Sequence, residues 1–242
     1  MFSIWRAWMD RLPGICQVCG AWPAQPVCVG CARCFAGAQG RCTTCAAPMA
    51  DDMPACGACL TRAHPSAVHA CVASVDYAYP WDRLIARFKF QGEPGWARVF
   101  AREMLGQERA RDLLGRCALM VPVPLTASRL ARRGHNQAWE LAKAVRRQGR
   151  HMGLPLPAQA CADALVRLRE TPDQHSLTRE QRLRNLDGVF AAHPRRTPQI
   201  RGQHVLLMDD VSTTGATLDA AAQALLQAGA SRVSAMVFAR TG

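Results

Sequence analysis

Four CxxC pairs within the first sixty residues constrain the folding of this chain more than any other feature: Cys16/Cys19, Cys28/Cys31, Cys42/Cys45 and Cys56/Cys59. Eight, ten and ten residues separate successive pairs. A CxxC turn brings two thiolates to one ion, and two such turns complete a tetrahedral four-cysteine site, the closed geometry of structural zinc. Within and between the pairs, Gly20, Pro23, Pro26, Gly30, Gly37, Gly40, Pro48, Pro54 and Gly57 leave little room for long helices or strands. Metal must therefore replace much of a hydrophobic core. The expectation is two zinc ions in a double zinc ribbon, with neighbouring pairs sharing an ion. That gives Cys16, Cys19, Cys28 and Cys31 at one site, and Cys42, Cys45, Cys56 and Cys59 at the other. Spacing alone also admits a crossed pairing, and Cys34 offers a competing ligand at CxxCxxC spacing. No thioredoxin-like βαβ pattern surrounds any pair, which argues against redox work. Cys71, Cys117 and Cys161 stand in apolar settings and read as buried small residues.

At 242 residues the chain can bury one sizeable core and carry a smaller module. No apolar run approaches the roughly 20 residues that span a bilayer. The opening MFSIWRAWMDRL does not read as a signal peptide, because Arg6, Asp10 and Arg11 interrupt it. Its Ile4, Trp5, Trp8, Met9 and Leu12 suit one face of a short helix packed on its own protein. Twelve cysteines without a leader fit a reducing, cytoplasmic location. The net charge of +12 falls almost wholly beyond residue 60. A polyanionic ligand would explain the excess, and so would an arginine-favouring composition.

After Pro65 the pattern changes to alternating strands and helices, so the boundary is drawn between a ribbon over 1–64 and a second domain over 65–242. Strands are expected in 68–80, 117–124, 164–170, 188–192, 204–208 and 232–239. Helices are expected over 81–90, 95–105 and 135–149, and after residue 217. This order predicts an α/β domain with a mostly parallel sheet flanked by helices, and ligands at the strands' C-terminal ends.

Residues 205–217, VLLMDDVSTTGAT, locate such a ligand. An apolar strand ends in Asp209 and Asp210, whose carboxylates can accept hydrogen bonds from vicinal ribose hydroxyls. Val211, Ser212, Thr213, Thr214, Gly215, Ala216 and Thr217 then lead into a helix, where backbone N–H groups and hydroxyls can hold a phosphate. The stretch resembles the phosphoribosyl-pyrophosphate (PRPP) motif of type I phosphoribosyltransferases at every class position. On that resemblance two basic segments acquire roles. The first holds Pro124, Leu125, Thr126, Ala127 and Ser128 where a pyrophosphate loop belongs, with Arg129 and Arg133 beside it. The second, 167–190, lies where a flexible loop closes over substrate, and offers Thr171, Gln174, Arg179, Arg182 and Asn185.

The CxxC ribbon, VPVP–RxxRGHNQ, TPDQ–R–RNLDGVF and DDVSTTGAT occur in this order in the ComF family, which the chain resembles over nearly its whole length. Family members usually show RGFNQ, where this chain has His135. The resemblance implies a zinc-ribbon module on a type I phosphoribosyltransferase fold, with a role in competence and DNA uptake. It implies Mg2+ bound with PRPP, and partners among competence helicase-type proteins. Asp209, Asp210, Arg129 and Arg133 would then carry catalysis: the carboxylates on the ribose, the arginines on the leaving pyrophosphate. Purine-salvage relatives have an Asp base where this chain has Thr213, which disfavours a purine acceptor. The rival expectation is a non-catalytic protein that binds PRPP or single-stranded DNA through the same cradle. Few aromatics for base stacking lie in 120–200, Trp139 foremost with Phe190.

Overall fold

Apolar strands separated by amphipathic helices can pair side by side only through crossovers, and such crossovers make the strands parallel. The computed structural model has this form, and describes residues 14–36, 40–49, 55–62, 64–169 and 188–242. Its elements in chain order begin with α1 (Val29–Phe35) and α2 (Gly57–Leu60) in the cysteine-rich segment. Then follow β1 (Cys71–Asp76), α3 (Trp81–Phe90), α4 (Trp96–Gly106), α5 (Glu108–Arg116), β2 (Leu119–Pro122), α6 (Ala127–Arg133) and α7 (Gln137–His151). The chain continues through β3 (Gln159–Ala160), β4 (Leu165–Arg167), β5 (Phe190–Ala192), α8 (Thr197–Ile200), β6 (His204–Ser212), α9 (Ala216–Gln227) and β7 (Arg232–Arg240).

Five strands form one sheet in the order β1-β7-β6-β2-β3, every pair parallel. β4 and β5 make a separate antiparallel pair. Near-continuous apolar strands are expected where helices cover both faces of a sheet, and β6 buries Val205 to Met208 without a break. One face packs on α9 through Leu218, Ala221, Ala222 and Leu225, which meet Val205, Leu207, Ala235 and Val237. Toward the other, Trp81, Leu84, Ile85 and Phe88 follow the i, i+3, i+4, i+7 spacing that buries one stripe of α3. Trp81 packs edge-on to Phe238 of β7 at 5.4 Å, and Phe100 of α4 stacks on the same ring at 4.1 Å. Burying each such side chain contributes about 1.5–3 kcal/mol. This packing fixes α3 beside the C-terminal ends of the strands.

Several elements differ from the sequence expectation. The segment after β2 contains a helix, α6, which Thr126 caps by accepting from the Arg129 N–H and which Gly134 ends at φ 75°. α5 and the short strand β3 are additions to the expected pattern. The strand expected over 204–208 runs on to Ser212, because β7 keeps pairing with it as far as Arg240. The expected N-terminal helical face lies outside the described residues, as do Thr171, Gln174, Arg179, Arg182 and Asn185.

By compactness the chain divides into Met1–Gly37 and Ala38–Gly242. The change of composition falls later, near Pro65. The first four cysteines thus lie in one unit, and the second four share a unit with the sheet.

Candidate functional site

The acidic pair stands at the C-terminal end of the central strand. Asp209 lies beside Val237 of β7, just past the last β2 partner, Pro122, which pairs with Met208. Because side chains alternate along a strand, Asp209 and Asp210 face opposite ways. Asp210 is buried and gives Oδ1 to Lys89 Nζ of α3 at 3.0 Å. Its Oδ2 is buried with no hydrogen-bond partner. Asp209 is half-buried, and its Oδ1 accepts from the Asp210 N–H at 2.8 Å. Burial pushes the Asp209 carboxyl up to about 7; the charge of Asp210 adds to the rise, and Lys89 and Arg167 oppose it.

After the pair the chain turns into α9. Ser212 buries a hydroxyl that has no partner, while its carbonyl accepts from the Thr241 N–H at 3.1 Å. Thr213 is exposed, and Thr214 Oγ1 accepts from the Ala216 N–H at 3.4 Å. Gly215 sits at φ 82° directly before the helix, a left-handed conformation that a side chain would strain. The first helical N–H groups of this twelve-residue helix and the hydroxyls of 212–217 therefore gather at one place, the arrangement that binds phosphate.

The segment that follows β2 folds beside this turn. Val123 continues the ladder by donating to the Met208 carbonyl at 2.9 Å. Pro124 and Leu125 are half-buried, Thr126 is buried, and Ala127 and Ser128 are exposed in the first turn of α6. Asn136 ties the end of the segment back, donating Nδ2 to the Val123 carbonyl at 3.1 Å and capping α7 through the Trp139 N–H. Arg133 donates Nη1 to Gln137 Oε1 at 3.0 Å and lies over the Phe90 ring at 5.1 Å. Its Nε is buried without a partner. Burial lowers the Arg133 pKa, while the charges of Asp210 and Asp209 raise it. Arg129 is half-buried in the same helix. His135 packs against Phe88 at 5.6 Å and meets the Arg133 carbonyl at 3.0 Å through Nδ1.

Sequence reasoning missed Lys89, whose α3 reads as an ordinary amphipathic helix. The available signal was that Lys89 and Lys143 are the only two lysines in the chain.

The eight knuckle cysteines assemble as two groups, Cys16/Cys19/Cys28/Cys31 and Cys42/Cys45/Cys56/Cys59, in each of which all sulfurs lie within 4.8 Å of one another. Zinc–sulfur bonds of about 2.3 Å in a tetrahedron put sulfurs about 3.8 Å apart. The Cys16–Cys31, Cys19–Cys28 and Cys45–Cys56 separations are 3.9, 3.8 and 3.6 Å. Burial opposes ionisation of Cys16, yet N–H groups of Cys19, Cys28 and Val18 hold its thiol down to about 6. Against the same opposition, N–H groups of Cys56, Cys45 and Thr44 bring Cys42 to about 6. The distances fit zinc, and N–H donors favour thiolates at Cys16 and Cys42, while burial pushes the Cys31 and Cys59 thiols up. Cys34 is exposed and belongs to neither group. Among the described residues, no helix is long and apolar enough to cross a membrane.

Residues 116–242 match the family model described as a phosphoribosyl transferase domain. The DNA utilization protein YhgH of Escherichia coli (strain K12) is 32% identical over 245 residues, covering 96% of this chain and 100% of the relative. Competence protein F of Haemophilus influenzae is 30% identical over 188 residues, 76% of this chain and 78% of that protein. Competence protein ComFC of Bacillus subtilis (strain 168) is 28% identical over 158 residues, 65% of this chain and 58% of that protein. Similarity that runs from the cysteine pairs through the phosphoribosyl transferase domain makes the chain a member of the ComF-like phosphoribosyltransferase family.

Proposed function

We propose that the turn from β6 into α9 binds Mg–PRPP and that the protein transfers the phosphoribosyl group in the service of DNA uptake. The observation that carries this reading is the meeting of an acidic pair, a hydroxyl-rich left-handed turn and a helix N-terminus at the end of the central strand. Asp209 and Asp210 accept from the ribose hydroxyls, and residues 212–217 hold the 5′-phosphate. Arg133 and Arg129 offset charge on the departing diphosphate. The unsatisfied Asp210 Oδ2 and Ser212 Oγ fit a hydroxyl- and phosphate-bearing ligand. Bound Mg2+ would screen the diphosphate and activate it as a leaving group. Relatives named for competence and DNA utilization support the setting in DNA uptake. Two structural zinc ions complete the protein.

Calorimetry with Mg–PRPP tests the cradle. Wild type should bind, and Asp209→Asn should lose at least tenfold in affinity; equal binding by the two would sink the assignment. The pH profile gives an independent check. A carboxyl with its pKa near 7 accepts from hydroxyls more strongly once ionised. Affinity should therefore climb between pH 6 and pH 8 in wild type and stay flat in Asp209→Asn. Pyrophosphate release across a panel of nucleobases identifies any acceptor.

A second reading is favoured by a cavity of about 870 Å³ between α7 and β3. Lys143, Arg146, Arg147, Arg150 and Arg196 line it against the single carboxylate Asp163, with Trp139 at its wall. Burial, with the charge of Arg150, lowers the Arg146 pKa, a crowding that an anionic backbone relieves. On this reading the cavity holds single-stranded DNA, with Trp139 as a stacking surface. Oligonucleotide affinity should then fall steeply with salt. Replacing Arg146 and Arg150 by alanine should reduce the log–log slope by about 1.4, at roughly 0.7 per phosphate contact. A slope unchanged by both replacements, but reduced by loss of Arg129 and Arg133, would return DNA to the cradle.

A further inference from the structure

Three consecutive residues at the C-terminal end of α3 each touch a different part of the site. Phe88 packs on His135, Lys89 pairs with Asp210, and Phe90 lies beneath the Arg133 guanidinium. All three partners belong to the 116–242 domain, and α3 lies outside it. The Lys89–Asp210 pair is shielded: the side chains are 18% and 6% exposed. Withdrawing two charges from water costs several kcal/mol per ion unless further partners satisfy them. Here the satisfaction is half complete. Asp210 Oδ2, an acceptor, Ser212 Oγ, which can donate or accept, and Arg133 Nε, a donor, are buried without partners. Buried polar groups are almost always paired, so three orphans around one ion pair point to a ligand that supplies what they lack. Asp210 needs a donor and Arg133 an acceptor. A phosphoribosyl diphosphate offers both, a ribose hydroxyl and a phosphate oxygen.

We propose that Lys89 is a positioning residue of the phosphoribosyl site: it fixes Asp210 through Oδ1 and leaves Oδ2 to accept a ribose hydroxyl, while Phe90 holds Arg133 ready for the diphosphate. The inference rests on the reading of the acidic pair as a PRPP cradle. Lys89 acts through Asp210 and touches no reacting atom. Its charge also offsets the repulsion between the two successive carboxylates. The N-terminal part of the chain therefore completes a site whose recognisable motifs all lie after residue 116.

A double-mutant cycle tests this, with Mg–PRPP affinity read by calorimetry on Lys89→Met, Asp210→Asn and the double variant. Each single change should weaken binding at least tenfold. The double variant should bind within twofold of Asp210→Asn alone, because the lysine has no role once its carboxylate is gone. Lys89→Arg, which keeps the charge, should stay within threefold of wild type. Wild-type affinity in Lys89→Met, or losses that multiply in the double variant, would overturn the proposal. Should Lys89→Met fold poorly, Lys89→Gln carries the same cycle. Failure of wild type itself to bind Mg–PRPP would instead strike the cradle reading, so the two failures are distinct.

Discussion

The two cysteine clusters share a backbone and differ in everything around it. In the first, Gly20 N–H bonds the Cys16 carbonyl at 2.9 Å and takes φ 76°. In the second, Ala46 N–H bonds the Cys42 carbonyl at 2.8 Å and takes φ 57°. Around the first cluster, Val27 is the one buried side chain among the described residues of its unit that is not a cysteine. The second is built into the α/β unit. Arg41 pairs with Asp76 at the end of β1 at 2.7 Å and donates to the Ala46 carbonyl. Arg240, at the end of β7, donates to the Cys45 carbonyl at 3.0 Å, and the Cys71 N–H reaches the Thr43 carbonyl. Ala46 itself belongs to the main hydrophobic core. Beyond the cluster, Asp219 of α9 accepts from Ser66 Oγ and the Ala67 N–H. One motif thus stands in two settings: in the first unit the cysteine cluster takes the place of a core, and in the second it joins an existing one.

Removing one ligand from each cluster should separate these roles most widely. Structural zinc contributes about 10–16 kcal/mol of apparent binding free energy in small modules. Cys19→Ser should unfold the first unit and leave the main thermal transition within about 2 °C, since the sheet unit keeps its own core. Cys45→Ser should lower that transition by roughly 10 °C, the shift expected from about 3–4 kcal/mol in a unit of this size. Differential scanning calorimetry of the two variants decides. Equal shifts of the main transition would erase the distinction.

Next come the contacts that join the second cluster to the sheet. Arg41→Met leaves Asp76 and the Ala46 carbonyl without their charged donor, and should cost about 1.5–3 kcal/mol by urea unfolding. Arg240→Met, from a side chain 8% exposed, should cost a similar amount. If both were neutral, the second cluster would hold itself as the first does.

The smallest effects lie in the knuckles themselves. A Cβ at Gly20 would meet nothing within 4 Å, so Gly20→Ala tests conformation alone and should cost about 1–2 kcal/mol in the first unit. Ala46→Gly relaxes a similar strain but removes a buried methyl worth about 0.8 kcal/mol. Its net effect should be a stabilisation of about 0.2–1.2 kcal/mol, the strain relieved less the methyl lost. Zinc-competition titration at each site reads both changes.

What can be read from the sequence is what neighbouring residues decide. A CxxC turn is a local device, so each pair is visible in the sequence, but the spacing admits a crossed pairing and the grouping into neighbours comes from the fold. The acidic pair and the glycine before α9 are visible for the same reason. Less is visible where distant residues decide. The sequence pattern puts Asp209 and Asp210 after a strand, but they lie within one because β7 extends its ladder. α6 reads as a loop because its arginines hide the apolar period, although Thr126 and Gly134 mark its ends. α5 escapes notice because its inward residues, Ala110, Leu113 and Leu114, are few among charges. Lys89 meets Asp210 across 121 positions of sequence, a contact that only the packing of α3 on β7 creates.

The second cysteine cluster shares a compact unit with the proposed phosphoribosyl site and should help to hold it, whereas the first cluster belongs to the other unit. Thr241, next to Arg240, donates its N–H to Ser212 of the proposed cradle, so hydrogen bonds link Cys45 to that turn through the end of β7. Mg–PRPP calorimetry on Cys19→Ser and Cys45→Ser tests it most directly. Wild-type affinity in Cys19→Ser with at least a tenfold loss in Cys45→Ser is the predicted result; full binding by Cys45→Ser, or loss in Cys19→Ser alone, would contradict it.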